Sequence, residues 1–435
     1  MTDDLLITTC RILAEPDADL VDGPGFLLVR DGRIHALGPM ADCPTGWTGT
    51  VVDGQGQLAL PGLVNGHCHL PMTLFRGLAD DLALADWLTN HIFPAEARHI
   101  DPETVYWGSR LAAAELLLAG VTCVADGYFL EDEAARACLD AGLRCVAAQG
   151  IIDFPAPGVP DPGRNIEAAA GFLDRWQDRN PLITPALFVH SPYTVANDTL
   201  REAKALARRR GVRLFVHAAE TRDEINHIAA PLAHTPIGHL DALGVLDADT
   251  TCVHCVWADE TDLDTLARRG AAVVSCPQSN AKLASGVAPL AAMLARGLRV
   301  GLGTDGAASN NSLDLFREMD LAARLQPMRG CDPKPVPARR MLDLATRGGA
   351  EAIGLDAGHG RLTKGAPADL ILVDLEQPRL QPFHSPGQLV HAGSGADVRT
   401  VIVGGRLVVH ERQLRTMDLD ETLERVRSLA GRVGS

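Results

Sequence analysis

The 435-residue sequence predicts an α/β protein, a (β/α)8 barrel carrying a small composite β-sandwich formed by both termini. Three observations predict it. Strand-like and helix-like patterns alternate eight times between residues 61 and 365. Histidines and carboxylates fall at the ends of those strands, where such barrels keep their catalytic groups. The β-rich segments 1–60 and 366–435 flank this middle and are predicted to be the two halves of the sandwich.

In chain order, residues 5–13 are strand-like, and 26–37 form a hairpin turning at Asp31-Gly32. Short extended pieces follow at 51–52 and 57–60. The stretch Pro61-Gly-Leu-Val-Asn-Gly-His-Cys-His69 reads as a buried strand ending in two imidazoles. Residues i and i+2 of a strand share a face, so His67 and His69 point together and can share one metal ion. The next connection, from Pro71 to about Pro102, is long and carries Trp87, His91 and Glu96. It reads as a functional loop over the barrel mouth. Seven further strands are predicted at 121–126, 143–152, 183–190, 213–220, 251–255, 271–276 and 300–305. Helical periodicity marks 105–118, 131–139, 200–209 and 263–269 between them. The last segment supplies a strand at 368–374, a hairpin over 401–409 turning at Gly404-Gly405, and a terminal helix. A lone hairpin is marginal in water, so the two β-rich ends are expected to pack on each other.

Composition narrows the function classes. Apolar residues at 46% and charged residues at 22% are ordinary for a soluble globular chain. A net charge of −15 argues against a nucleic-acid or anionic-membrane surface. The densest basic run, Arg208-Arg-Arg210, closes a predicted helix and offsets its dipole. No apolar run approaches the roughly 18 residues of a membrane span. Met1-Thr-Asp-Asp4 carries no signal pattern, so the cytoplasm is the expected compartment. The ten cysteines are scattered and suggest no disulfide framework. Cys252-Val-His-Cys255 reads as part of a buried strand, with His254 its informative member. A homo-oligomer is expected, and a dimer or a tetramer fits such barrels equally.

The strand ends carry the chemistry. His67 and His69 close the first barrel strand, His190 the fourth, His217 with Glu220 the fifth, His254 the sixth and Asp305 the eighth. One buried histidine is ordinarily a satisfied core residue, but that reading does not explain several at the same end of successive strands. His67, His69, His217 and Asp305 are assigned as ligands of one Zn2+, with Fe2+ or Mn2+ compatible with the same donors. Such an ion lowers the pKa of bound water from 15.7 towards about 7. Glu220, three residues after His217, is the expected proton shuttle, and His254 orients the water or polarises the site. Gly301-Leu-Gly-Thr-Asp-Gly306 matches G-x-G-x-x-G, but a dinucleotide fingerprint opens a first βα unit and this copy ends an eighth strand. A dinuclear site bridged by a carboxylated lysine is disfavoured because 183–190 contains no lysine.

Four motifs go further. His67-Cys-His-Leu-Pro-Met-Thr-Leu-Phe-Arg-Gly-Leu-Ala-Asp-Asp81, His190-Ser-Pro-Tyr193, His217-Ala-Ala-Glu-Thr221 and Gly303-Thr-Asp-Gly-Ala-Ala-Ser-Asn-Asn311 resemble the single-metal deaminase branch of the amidohydrolase superfamily. Within it the chain is similar to the 5′-methylthioadenosine/S-adenosylhomocysteine deaminases over nearly its whole length. The resemblance implies a small-molecule nucleoside substrate and hydrolytic loss of ammonia from its adenine ring. It implies that Glu96 accepts hydrogen bonds from ribose hydroxyls and that Trp87 packs near the 5′-thio substituent. Arg164 is implied on the ribose side, His190 at the purine, and Ser309 lining the site. Gln149 stands where some members carry an arginine suited to the homocysteine carboxylate. Glutamine lacks the charge and the bidentate fork, which bears on S-adenosylhomocysteine more than on methylthioadenosine. The alternatives are guanine or pterin deamination, s-triazine dechlorination, a dinuclear amidase, and a non-catalytic barrel, which predicts lost ligands. The Pro-Cys-x-x-Cys signature of the cytidine-type deaminases is absent.

Overall fold

A computed structural model describes residues 4–21, 23–82, 84–226, 235–330, 336–355 and 357–433. The chain opens with β1 (Leu5–Ile12), β2 (Gly25–Arg30), β3 (Arg33–Pro39), β4 (Thr50–Asp53) and β5 (Gln57–Pro61). Asp31 and Gly32 join β2 to β3 with φ of +49° and +74°, the conformation a tight two-residue hairpin requires.

Eight parallel strands then pair in chain order: β6 (Leu63–Cys68), β7 (Val121–Tyr128), β8 (Arg144–Ile151), β9 (Ile183–Val189), β10 (Leu214–Ala218), β11 (Thr250–His254), β12 (Ala272–Ser275) and β13 (Val300–Leu302). Their residues are buried almost without exception, because helices cover the outside and side chains fill the inside. Val64, Ala125, Val146, Ala148, Phe188, Phe215, Val253 and Val274 form the inner core. Helices such as Pro102–Leu118, Asn197–Arg210 and Glu260–Arg269 run outside. The first is started by Asp101, whose carboxylate accepts the Thr104 N–H while Pro102 takes the position that needs no donor.

The barrel closes where β13 meets β6. The Asp305 N–H donates to the His67 carbonyl at 3.0 Å. Asn65 bridges the same seam, accepting the Thr304 N–H at 3.0 Å and donating to Thr304 Oγ1 at 2.7 Å. A Cβ at Gly303 would lie 2.8 Å from the His67 nitrogen, so this contact admits only glycine. Gly303, within the glycine run 301–306, therefore serves barrel closure.

The chain end returns to the first sheet with β14 (Leu370–Asp374), β15 (Val398–Val403), β16 (Arg406–His410) and β17 (Gln413–Leu414). β5 and β14 pair antiparallel, giving the order β17-β16-β15-β14-β5-β1-β2-β3, with β4 beside β1. Leu5, Ile7, Leu27, Ile34, Leu370, Leu372 and Ile402 share one core. Each such side chain contributes about 1.5–3 kcal/mol on burial. The two hairpins meet where Gly32 accepts the Ala368 N–H at 2.9 Å and Ala368 accepts the Gly405 N–H at 3.1 Å. The terminal helix Leu419–Val433 packs against Pro102–Leu118.

The connection after β6 is helical rather than a loop. It runs through Leu70–Phe75, Leu84–Asp86, a π-helical turn at Trp87–Ile92 and Phe93–His99. Leu84, Trp87, Leu88 and Phe93 all reach the cavity over the barrel mouth. That apolar face makes the segment a helical lid on the site. Among the described residues, no helix is long and apolar enough to cross a membrane.

Candidate metal-dependent active site

The strands end sharply at the C-terminal rim. Ala219, His254 and Asp305 take φ of +52°, +71° and +61°, a region that costs a non-glycine residue about 1–3 kcal/mol. His254 and Asp305 both line the cavity at this rim.

His67, His69, His217 and Asp305 are all buried and place four ligand atoms within 4.8 Å of one another. The Nε2 atoms of His67 and His217 face each other at 3.1 Å. Asp305 Oδ1 lies 3.4 Å from His67 Nε2 and 3.2 Å from His69 Nε2. His69 Nδ1 donates to the Gly127 carbonyl at 2.6 Å, which leaves its Nε2 lone pair turned to the cluster. These separations suit donors about 2.0–2.2 Å from one central ion.

Protonation points the same way. Burial pushes the His67 imidazole down to about 4 and His217 well below its ordinary range, so both are neutral ligands. His69 is raised to about 9: burial opposes this, but the Asp305 carboxylate and the Gly127 carbonyl outweigh it. Burial would raise Asp305, yet hydrogen bonds from His67 and His69 hold it well below the usual carboxylate range. The group favours a positive charge at its centre, and a divalent cation fits it.

A second ring of contacts fixes this set. Ser279 and Ser309 each donate to Asp305 Oδ2 at 2.7 Å. His254 Nδ1 donates to Asn280 Oδ1 at 2.9 Å, and its Nε2 lies 3.8 Å from Glu220 Oε2. The Glu220 N–H donates to Glu224 Oε2 at 2.8 Å. Burial raises the Glu220 carboxyl above its ordinary value, with the nearby His254 pulling it back.

A cavity lies above the cluster, walled mostly by apolar and aromatic side chains with a few convergent polar groups. His69, His217, Asp305, Glu220 and His254 line one part of it, and Leu84, Trp87, Leu88, Phe93 and Glu96 come from the lid. Glu96 is only 3% exposed and accepts a hydrogen bond from the Tyr128 hydroxyl at 2.5 Å. Burial pushes its carboxyl up to about 7, against the Tyr128 hydrogen bond. Trp87 Nε1 is buried without a hydrogen-bond partner. Burial, with the charges of the other histidines, lowers His190 to about 3; its Nδ1 lies 2.9 Å from Thr194 Oγ1.

Of the residues singled out from sequence, the structure brings His69, His217, Asp305, Glu220, His254, His190, Trp87, Glu96 and Ser309 to this cavity, with His67 in the ligand cluster beneath. Two expected substrate contacts stand elsewhere. Gln149 is in register with Leu187 of the outer core, while Ala148 and Gly150 take the inward positions of β8. Its amide donates to the Gly150 carbonyl at 3.2 Å. Arg164 lies at the surface, its side chain 66% exposed and paired with Glu167 at 2.7 Å. The Gln149 amide is taken by the adjacent backbone, and Arg164 belongs to the exposed short helix Pro162–Arg164, away from the cavity.

Sequence reasoning missed Tyr128, Asn280, Ser279 and Glu224. Tyr128 was within reach of the strand-end rule, since β7 runs two residues beyond its predicted end at Asp126. The other three sit in loops or short helices after their strands, where no periodicity marks them.

Residues 58–408 match the amidohydrolase family. The chain is 42% identical to the 5-methylthioadenosine/S-adenosylhomocysteine deaminase of Syntrophobacter fumaroxidans over 430 residues, 98% of each chain. It is 42% identical to the 5′-deoxyadenosine deaminase of Methanothermobacter thermautotrophicus over 410 residues, 92% of each chain. The structure of an adenosine deaminase from Xanthomonas campestris with bound zinc superposes with a TM-score of 0.96 at 36% identity, covering 99% of this chain and 98% of that one. With a family match spanning the barrel and full-length relatives at this identity, the chain belongs to the amidohydrolase family.

Proposed function

We propose that the protein hydrolytically deaminates an adenine nucleoside carrying a 5′-thioether, with 5′-methylthioadenosine the leading substrate and S-adenosylhomocysteine and adenosine of the same class. One observation carries this reading. A single cavity combines a cation-binding donor set and a proton-transfer pair with a buried carboxylate, Glu96, and an apolar wall that includes Trp87, Leu88 and Phe93. A purine, a ribose and a thioether need those three surroundings together. The names of the full-length relatives support it. The guanine, pterin and triazine readings leave Glu96 without a use.

We assign the divalent ion as Zn2+ held by His67, His69, His217 and Asp305, with Fe2+ or Mn2+ the competing assignments. When bound, the ion supplies Lewis-acid activation of water at neutral pH. Glu220 delivers a proton to purine N1 and afterwards carries one to the departing amino nitrogen. His254 Nε2 and the Asp305 carboxylate orient the attacking water and accept its proton, with Asn280 fixing the His254 tautomer. The C6–N bond breaks, a C6–O bond forms, one water is consumed and ammonia leaves. His190, neutral in the cavity, borders the purine, Ser309 holds Asp305, and Glu96 accepts from the ribose hydroxyls.

In this reading residues 61–365 are the catalytic unit and 1–60 with 366–435 the accessory sandwich. A homo-oligomer, dimer or tetramer, and a cytoplasmic location complete the proposal. Ammonia release by the metal-loaded protein tests it on 5′-methylthioadenosine, S-adenosylhomocysteine, adenosine and guanine. The expected result is kcat/KM for methylthioadenosine at least about tenfold above guanine. Turnover of guanine alone, or of none of the four with metal bound, refutes the reading.

A further inference from the structure

Three consecutive residues at the end of β7 hold three separate parts of the site. Asp126 Oδ1 accepts the Leu70 N–H at 2.7 Å, the Gly127 carbonyl accepts from His69 Nδ1 at 2.6 Å, and the Tyr128 hydroxyl donates to Glu96 Oε1 at 2.5 Å. Tyr128 and Glu96 are 4% and 3% exposed, and both line the cavity. The Tyr128 ring is braced by Phe129 at 5.3 Å and lies 6.2 Å from the His69 ring. Among the described residues, no hydrogen bond reaches Glu96 Oε2.

A neutral phenol has one proton to give, and here it goes to one oxygen of the carboxylate. That hydrogen bond fixes the carboxylate plane and favours its ionised, acceptor-only form, leaving Oε2 to receive the hydroxyls of a bound ligand. The anchor is a barrel strand, whereas Glu96 itself rides on the lid helix Phe93–His99. We infer that Tyr128 is a positioning residue for ribose recognition, tying the Glu96 carboxylate of the lid to the strand end that also holds the His69 ligand. The inference rests on the proposed nucleoside deamination and adds to it the residue that sets discrimination for a hydroxylated sugar.

The test compares adenosine with 2′,3′-dideoxyadenosine on wild type, Tyr128→Phe, Glu96→Ala and the double variant, each checked for metal content. Tyr128→Phe is expected to lower kcat/KM for adenosine about 10–100-fold, mainly through KM, and to leave the dideoxy substrate within about twofold. In the Glu96→Ala background the same change is expected to cost less than about twofold, because its target is gone. Equal losses on both nucleosides, or an undiminished loss without Glu96, overturn the positioning role while deamination stands. Calorimetric binding of inosine against 2′,3′-dideoxyinosine gives the same comparison without turnover, and equal affinities for Tyr128→Phe and wild type also overturn it. A metal-loaded wild type silent on 5′-methylthioadenosine as well as on both nucleosides overturns the deaminase reading and this inference together.

Discussion

Replacing Glu220 by glutamine removes a proton carrier at almost unchanged size. The carboxylate is no member of the four-atom ligand cluster, so the variant should load metal as fully as wild type. Its backbone stays anchored, because the Glu220 N–H still donates to Glu224. What is lost is the proton, in a residue 7% exposed where bulk water has little access to replace it. A positioned acid or base is worth about 10²–10⁴ in rate, or about 2.7–5.4 kcal/mol. Burial of Glu220 places the expectation near the upper end, a fall in kcat of about 10³–10⁴ with little change in nucleoside binding. Single-turnover ammonia release, metal content by mass spectrometry and calorimetric binding of the product nucleoside measure the three quantities separately. A metal-replete variant keeping more than about a tenth of wild-type kcat removes Glu220 from proton transfer. One that loses its metal shows instead that the carboxylate supports the ion.

Other expectations follow from the contacts around that centre. Ser279→Ala deletes one of two hydroxyls on Asp305 Oδ2 and should weaken metal affinity about 10–100-fold, read by competition with a chelator. Asn65→Ala leaves the buried Thr304 N–H without its partner at the barrel seam and should destabilise the fold by about 2–4 kcal/mol, seen in chemical denaturation. Glu224 is pushed up to about 8 by burial, so the folded state keeps its proton while the unfolded chain ionises near 4.5. Wild type therefore loses stability as pH rises between those values. Glu224→Gln should match wild type at pH about 4.5 and gain in thermal midpoint relative to it as pH rises towards about 8. A difference that stays constant with pH refutes the assignment.

Much of this molecule is legible before any coordinates. The eight barrel strands stand out because both faces are covered and their apolar runs are nearly unbroken. The Asp31-Gly32 and Gly404-Gly405 turns announce themselves through residues that tolerate positive φ. The ligands were readable for a related reason: a strand ends where its apolar run ends, and His67, His69, His217 and Asp305 sit at such ends. Local chemistry and local periodicity coincide there.

Tertiary structure alone decided the rest. Long-range contacts folded the Pro71 connection into helices whose apolar face caps the barrel, and no turn residue in the sequence announced that outcome. Gln149 is absent from the cavity lining, its amide donating instead to the adjacent Gly150 carbonyl. Arg164 chose Glu167 and solvent over the cavity. The Tyr128–Glu96 bond joins residues 32 positions apart, and Asn65 reaches Thr304 across 239. Such pairs have no sequence signal, since their meeting is set by how strand ends and lid pack in three dimensions.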